Sequence, residues 1–411
     1  MKKAAAAESG TFEDDVAAVL GRLRGALAEL LAALPGNVSK APDLRRVLKL
    51  DNKLCWKVIK VAMAGNPLAA AIHVPSPANM KSLLKAASAR KTPRDRREAV
   101  ARAAADFEKL VKAHAGDRAS FDSMVSAYGD DPAAINLTHK RAAFRANSHI
   151  CGMQAETQLN SCFLHPARDP GMLDIATLRG GLNLRRMRPD ATWIVAEARM
   201  ADNDGVVRRE IVREPLDPSQ ETTHGLAPLR AFCSDPLPTF RTVGKQDGFV
   251  LGELAGDRVG NTSAITCITA DVVRNAASCF QDEHNTHGEL VAGVHTPCQV
   301  LIHDVLIFKG MFGPISPEVC VYDDYWRKMS RGATVPEAVT LATAEVVSCL
   351  GRGSSVLPTP DVPRYVEMAR YAFARLGWDG EQFHVYRCRV EYPVMHSAVV
   401  IRFPLPEAPA T

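Results

Sequence analysis

"LRRVLKLDNKLCWKVIK", residues 44–60, sets six Lys or Arg side chains among apolar ones around a single Asp-Asn step. The stretch divides at Asp51. Before it, Leu44, Val47 and Leu48 recur at helical spacing; after it, Leu54, Cys55, Val58, Ile59 and Ala62 do the same. The Asp51 carboxylate can accept from the free N–H groups that open a following helix. The pattern therefore predicts a short helix near Asp43 to Lys49 and a second from Asp51 to about Ala64, with Leu50 plugging the angle between them. On the second helix Asn52, Lys53, Trp56, Lys57 and Lys60 fall largely opposite the apolar side. That face offers three ammonium groups for phosphates and one amide able to pair with an adenine edge. For Trp56 a core anchor is the preferred reading over a contact with sugar and base methyl groups.

The surrounding charge points the same way. From Lys40 to Arg102 there are fifteen Lys or Arg against four Asp or Glu, a net +11, whereas residues 1–39 carry −1 and residues 103–411 carry −6. A merely solvated helical surface mixes its signs; here they are separated, as suits contact with a polyanion. Lys81, Lys85 and Arg90, followed by Lys91, Arg94, Arg96 and Arg97, are candidates to neutralise flanking phosphates.

Residues 42–64 resemble the helix-turn-helix superfamily of bacterial transcription regulators, within a basic helical module over 40–115. One position departs from the common pattern: Lys49 or Leu50 stands where a glycine is frequent. The resemblance implies double-stranded DNA as partner. It also implies a homodimer, because one recognition helix touches only a few base pairs. It assigns no subfamily, so no operator or effector is carried over.

Most of the remaining helical signals lie in the first 128 residues. Phe12, Val16, Val19, Leu20, Leu23, Leu27, Leu30, Leu31 and Leu34 predict a helix over 12–34, stopped by Pro35-Gly36-Asn37, that either dimerises or packs on the basic module. Ser76-Pro77 and Thr92-Pro93 open helices to about Arg90 and Ala115. Residues 139–164 still read as helical, with Arg141, Arg145 and Ser148 on one face as an interdomain or signal-coupling surface. Beyond them come strand-like runs at 192–200, 205–212, 248–254, 298–308, 318–325, 383–392 and 397–405, with a hairpin turn at 201–205. Helices are expected at 336–350 and 361–376, and a long surface excursion at 215–245.

No louder catalytic motif appears. His284, His287, His295 and His303 gather with Glu283, Glu289 and Asp304, yet their spacing fits no established metal signature. His284 and His287 are the weak metal candidates; His295 and His303, eight apart on one strand, would lie ~26 Å apart. Ten cysteines without a CxxC pair suggest reduced thiols in the cytoplasm, with Cys267, Cys279, Cys298 and Cys320 acting as small buried hydrophobes. "GELAGDRVGNTS" (252–263) is neither a P-loop nor a dinucleotide fingerprint, and no GxSxG, HExxH or kinase set occurs. No cofactor is implied. The start, with Lys2 and Lys3 followed by Glu8, Glu13 and Asp14, does not read as a signal peptide. No run approaches the roughly 18 apolar residues of a membrane span.

The sequence thus predicts an α+β protein: a helical DNA-binding module over 1–128, with the helix-turn-helix at 43–64, then a mixed α/β domain with mainly antiparallel strands over 129–411. The expected function is a sequence-specific, cytoplasmic, DNA-binding transcriptional regulator. Its second domain would sense a small-molecule effector or oligomerise. The alternatives are an enzyme with a His-lined site in the second domain and a self-assembling scaffold.

Overall fold

The computed structural model describes residues 11–36, 38–125, 132–199, 213–217, 228–246, 249–256, 258–283, 285–324, 340–341 and 344–409. The chain divides into two compact units, one ending at Asn136 and the other starting at Leu137. The architecture is α+β: helices dominate the first unit and sheets the second. Among the described residues no helix is long and apolar enough to cross a membrane.

The first unit is helical because its start signals are met one by one. Thr11 caps α1 (Phe12–Ala32) by accepting from the Asp14 amide at 3.3 Å, with Glu13, Asp14 and Asp15 favourable at the positive end of the helix dipole. Ser76 caps α5 (Pro77–Ala89), and Asn66 caps the single turn α4 (Pro67–Ala70). Between α1 and α4 lie α2 (Ala41–Leu48) and α3 (Asn52–Ala62); α6 (Arg94–His114) and α7 (Arg118–Val125) complete the unit. Thr92 does not cap α6. Its hydroxyl donates to the Ala87 carbonyl at 2.9 Å, and Pro93 takes the cap position. The α1 stripe of Val16, Leu20, Leu23, Leu27 and Leu30 is buried within this unit, with Leu44, Leu54, Val58 and Phe107 in the same core. That burial leaves the stripe unavailable for the dimer seam the sequence offered as one alternative.

The helix predicted across 139–164 stops at Cys151. Residues Pro132–Cys151 form α8, and Gly152 then takes φ +70°, where an added Cβ would lie 2.8 Å from Arg188 Nε. The chain continues as β1 (Met153–Pro166), in which Leu159 to Leu164 are all buried. A strand covered on both faces loses the alternation by which strands are read, and it mimics a buried helix.

A seven-stranded sheet has the order β11 (Val347–Arg352), β12 (Phe383–Glu391), β9 (Cys298–Phe308), β1, β2 (Met172–Arg186), β7 (Ile265–Ser278), β4 (Arg213–Pro215). Its pairings are antiparallel apart from parallel β1–β9. One face carries α9 (Tyr365–Leu376), whose Tyr365, Met368, Ala369 and Phe373 pack with Leu159, Phe163, Ile302 and Leu306. The other face, through Leu164, Leu301 and Val305, packs with Leu290, Val399 and Ile401 of a second sheet. That sheet has the order β10 (Glu318–Asp323), β13 (Ser397–Pro404), β8 (His287–Gly293). A third sheet joins β3 (Ile194–Arg199), β6 (Phe249–Leu254) and β5 (Phe240–Gln246).

Three further expectations change. Residues 347–350, expected as the end of a helix over 336–350, belong instead to β11 on the β12 edge; 336–339 and 342–343 lie outside the described residues. The expected surface excursion 215–245 buries Leu216, Leu229, Phe232 and Phe240. The sequence predicts no strand over 172–186 or 265–278, yet these residues form β2 and β7, and a Cβ at Gly180 would collide with the Cys267 carbonyl oxygen across the pair. The hairpin turn at 201–205 and the run 205–212 lie outside the described residues.

Candidate nucleic-acid interface

The α2–α3 corner is built by its turn. Lys49 takes the left-handed conformation (φ +53°) and its amide donates to the Arg45 carbonyl at 2.8 Å, a single-residue helix stop that usually falls to glycine. Leu48 on one side is buried and Leu50 on the other is partly buried against the same core, and the left-handed lysine between them lets both reach it. Asp51 then accepts from the Lys53 and Leu54 amides at 2.9 and 3.1 Å and starts α3. A left-handed conformation costs an L-residue about 1–2 kcal/mol. Lys49→Gly should therefore raise the stability of this unit by about 0.5–1 kcal/mol after glycine's greater unfolded-state freedom is counted. The check is a urea denaturation midpoint; an unchanged or lower midpoint contradicts it.

Leu54, Cys55, Val58, Val61 and Ala62 of α3 are buried, while Asn52, Lys53, Trp56 and Lys60 are exposed and Lys57 is half-buried. Trp56 is not the core anchor the sequence favoured. It is 42% exposed, meets the His73 ring edge-on at 5.0 Å, and has Lys60 Nζ 5.9 Å from its ring centroid. With Ile59, Met63 and Lys40 these side chains line a groove of about 480 Å³. Arg45, Arg46, Lys49 and Asn52 line a second, open depression of about 760 Å³ over the turn. Among the described residues none of Lys53, Lys57, Lys60, Lys81, Lys85 and Arg90 has an ion-pair partner, and the last three are exposed on α5 or at its end.

Other cations of the basic segment are occupied within the unit. Arg94 pairs with Glu98 at 2.7 Å, and Arg96 pairs with Glu29 and with Asp95. Arg97 donates to Ser88 Oγ at 2.8 Å and to the Thr92 carbonyl at 3.3 Å. Among the described residues these three arginines therefore have polar partners within their own unit, unlike Lys53, Lys57 and Lys60.

Among the described residues the candidate histidines are held apart by different elements. His287 opens β8, half-buried, with Nδ1 2.9 Å from Thr286 Oγ1; His284 lies outside the described residues. His295 sits between β8 and β9, 3.8 Å from Asp324, so it does not share a strand with His303. No group of three metal-ligating side chains occurs among the described residues. His303 is fully buried, with Nε2 2.9 Å from the Leu290 carbonyl and Nδ1 3.1 Å from Asn160 Nδ2 and 3.2 Å from the Asn160 carbonyl.

Burial lowers the His303 pKa below the ordinary histidine value. A histidine with a lowered folded-state pKa binds fewer protons folded than unfolded. Its contribution is complete above about pH 6.5 and is lost as pH falls below that toward the folded value. Stability should therefore fall on acidification through that window, and the fall should be shallower in His303→Gln. Equal pH slopes in the two proteins would contradict this.

The sequence missed a second polar group altogether. Strand register sets Ser161 opposite Asp304 and Asp304 opposite Arg387, across β1, β9 and β12. Arg387 Nε and Nη2 donate to the two Asp304 oxygens at 2.9 and 2.7 Å, and Tyr365 Oη donates to Oδ2 at 2.7 Å. Tyr365 in turn lies 2.5 Å from Ser161 Oγ. Burial first, then the Asp304 charge, holds the Tyr365 phenol well above its ordinary pKa, so it stays a donor. Asp304, Ser161 and Tyr365 are all buried, and the group pins the first turn of α9 to the sheet.

Comparison with known protein families, with curated proteins and with solved structures finds no match for this chain.

Proposed function

We propose that this protein is a helix-turn-helix transcriptional regulator that binds double-stranded DNA through α3 of its N-terminal unit and acts as a homo-oligomer. One observation carries the reading. After a tight left-handed turn, α3 buries one side and presents Asn52, Lys53, Trp56 and Lys60 on the other, with no carboxylate partner among the described residues. Asn52 and Lys53 occupy the first turn of the helix, the end of a recognition helix that meets base edges. In this reading Lys53, Lys57 and Lys60, with Lys81, Lys85 and Arg90 beside them in sequence, neutralise phosphates, and Asn52 supplies the amide for an adenine. The sheet-rich unit receives a small-molecule effector or forms the oligomer contact.

The test is titration of the purified full chain against fluorescent duplex fragments of genomic DNA at two salt concentrations. Saturable binding that weakens steeply with salt, and differs between fragments, supports the reading. Absence of binding at low salt removes it.

A further inference from the structure

We propose that Cys233 and Cys267 are an oxidation site, a pair of facing thiols that a peroxide converts into a disulfide. The segment 228–234 runs antiparallel along β7. At one end Pro228 bridges Thr269 and the Leu229 amide donates to the Ile268 carbonyl at 2.8 Å. At the other end the Ser234 amide donates to the Thr266 carbonyl at 2.9 Å, and Ser234 Oγ accepts from the Thr266 amide at 2.8 Å. The 3-10 turn Arg230–Phe232 takes up the three residues by which these two registers differ, so Cys233 falls opposite Cys267. Directly opposed residues of an antiparallel pair have Cα atoms roughly 4.5–5.5 Å apart. That spacing lies inside the range of about 4.4–6.8 Å that a disulfide spans.

The two sulfurs are already unequal. Cys233 Sγ accepts from the Ile268 amide at 3.4 Å, lies 3.4 Å from the Ile268 carbonyl, and faces the Cys267 thiol. The neighbouring Cys267 thiol, more than the Ile268 amide, holds the Cys233 thiol below its ordinary pKa, while the same contact and burial keep Cys267 well above. Cys233 is half-buried and Cys267 buried. The more acidic thiol is thus the one nearer solvent, as an attacking sulfur requires, and the protected thiol is placed to resolve it. The Cys233 thiolate attacks one oxygen of hydrogen peroxide: the S–O bond forms, the O–O bond breaks, and the leaving hydroxide takes a proton to become water. Cys267 Sγ then attacks the Cys233 sulfenic sulfur. The S–S bond forms, the S–O bond breaks, and the departing hydroxide leaves as water with the Cys267 proton. Two thiols and one peroxide give one disulfide and two waters.

The experiment is a non-reducing tryptic map of the full chain before and after limited hydrogen peroxide. Ala231–Arg241 and Val259–Arg274 each contain one cysteine, so the two can be linked in one way only. The expected product is the linked pair, two hydrogens lighter than the sum, formed before exposed Cys349 is oxidised and reversed by dithiothreitol. In Cys267→Ala the expected product is a Cys233 sulfenic acid trapped by dimedone. Two results would overturn the proposal: Cys233 passing to sulfinic acid in the wild-type chain while Cys267 stays a free thiol, or both thiols surviving conditions that oxidise Cys349.

Discussion

Replacing Lys53, Lys57 and Lys60 together by alanine is expected to lower the slope of log affinity against log salt for duplex DNA by about 2.7, at ~0.9 per phosphate contact. Between 50 and 200 mM salt the wild-type chain would then lose about fortyfold more affinity than the variant does over the same interval. The loss of affinity itself should be nearly uniform across duplex sequences, because an ammonium on a phosphate carries no base information. The fold should survive. Lys53 and Lys60 are exposed, none of the three has a carboxylate partner among the described residues, and the α3 core contacts come from Leu54, Cys55, Val58 and Val61. A far-ultraviolet circular dichroism spectrum matching wild type, with affinity and salt slope also unchanged, would sink α3 as the DNA-reading helix.

The second large effect lies in the sheet-rich unit. Asp304→Asn should destabilise that unit by about 3–5 kcal/mol, the cost of leaving a buried cation without its partner. The Arg387 side chain is 11% exposed, and the Asp304 carboxylate is the acidic partner in its ion pair. Its guanidinium also donates to the Leu357 carbonyl at 2.9 Å and lies over the Tyr365 ring, dipoles in place of a charge. Against a typical domain stability of about 5–15 kcal/mol this is a large fraction. Replacing both partners, Asp304→Leu with Arg387→Met, should cost far less, because two desolvated charges disappear together. Urea midpoints for the three proteins decide it. A single-variant loss below about 1 kcal/mol would mean that water or another group replaces the carboxylate.

Much of the helical unit was legible in its residues. Thr11, Asp51 and Ser76 each announce a helix start through a side chain that caps its own backbone, and the α1 leucines fall at the helical period. Such signals need only a few neighbouring residues. The candidate interface was legible for the same reason: Lys53 and Lys60 face outward because Leu54, Val58 and Ala62 face inward on the same helix. Trp56 was misjudged because its size argues for burial, whereas its place on α3 follows the lysines.

What the chain alone could not reveal depends on partners far away in sequence. Leu159 to Leu164 read as helix until β2, β9, α9 and the second sheet cover both of their faces. Ser161, Asp304, Tyr365 and Arg387 are ordinary residues in four separate segments, joined by strand register and by the docking of α9. Cys233 meets Cys267 only because the 3-10 turn Arg230–Phe232 shifts the register along β7.

The sequence by itself determined the α+β division, the capped helices and the sign of the α3 face, since these follow from local hydrogen bonds and side-chain period. Tertiary structure decided the left-handed Lys49 turn, the buried Asp304–Arg387 pair and the facing thiols. Their energies arise where burial of distant segments removes water, and no local pattern encodes which segments those will be.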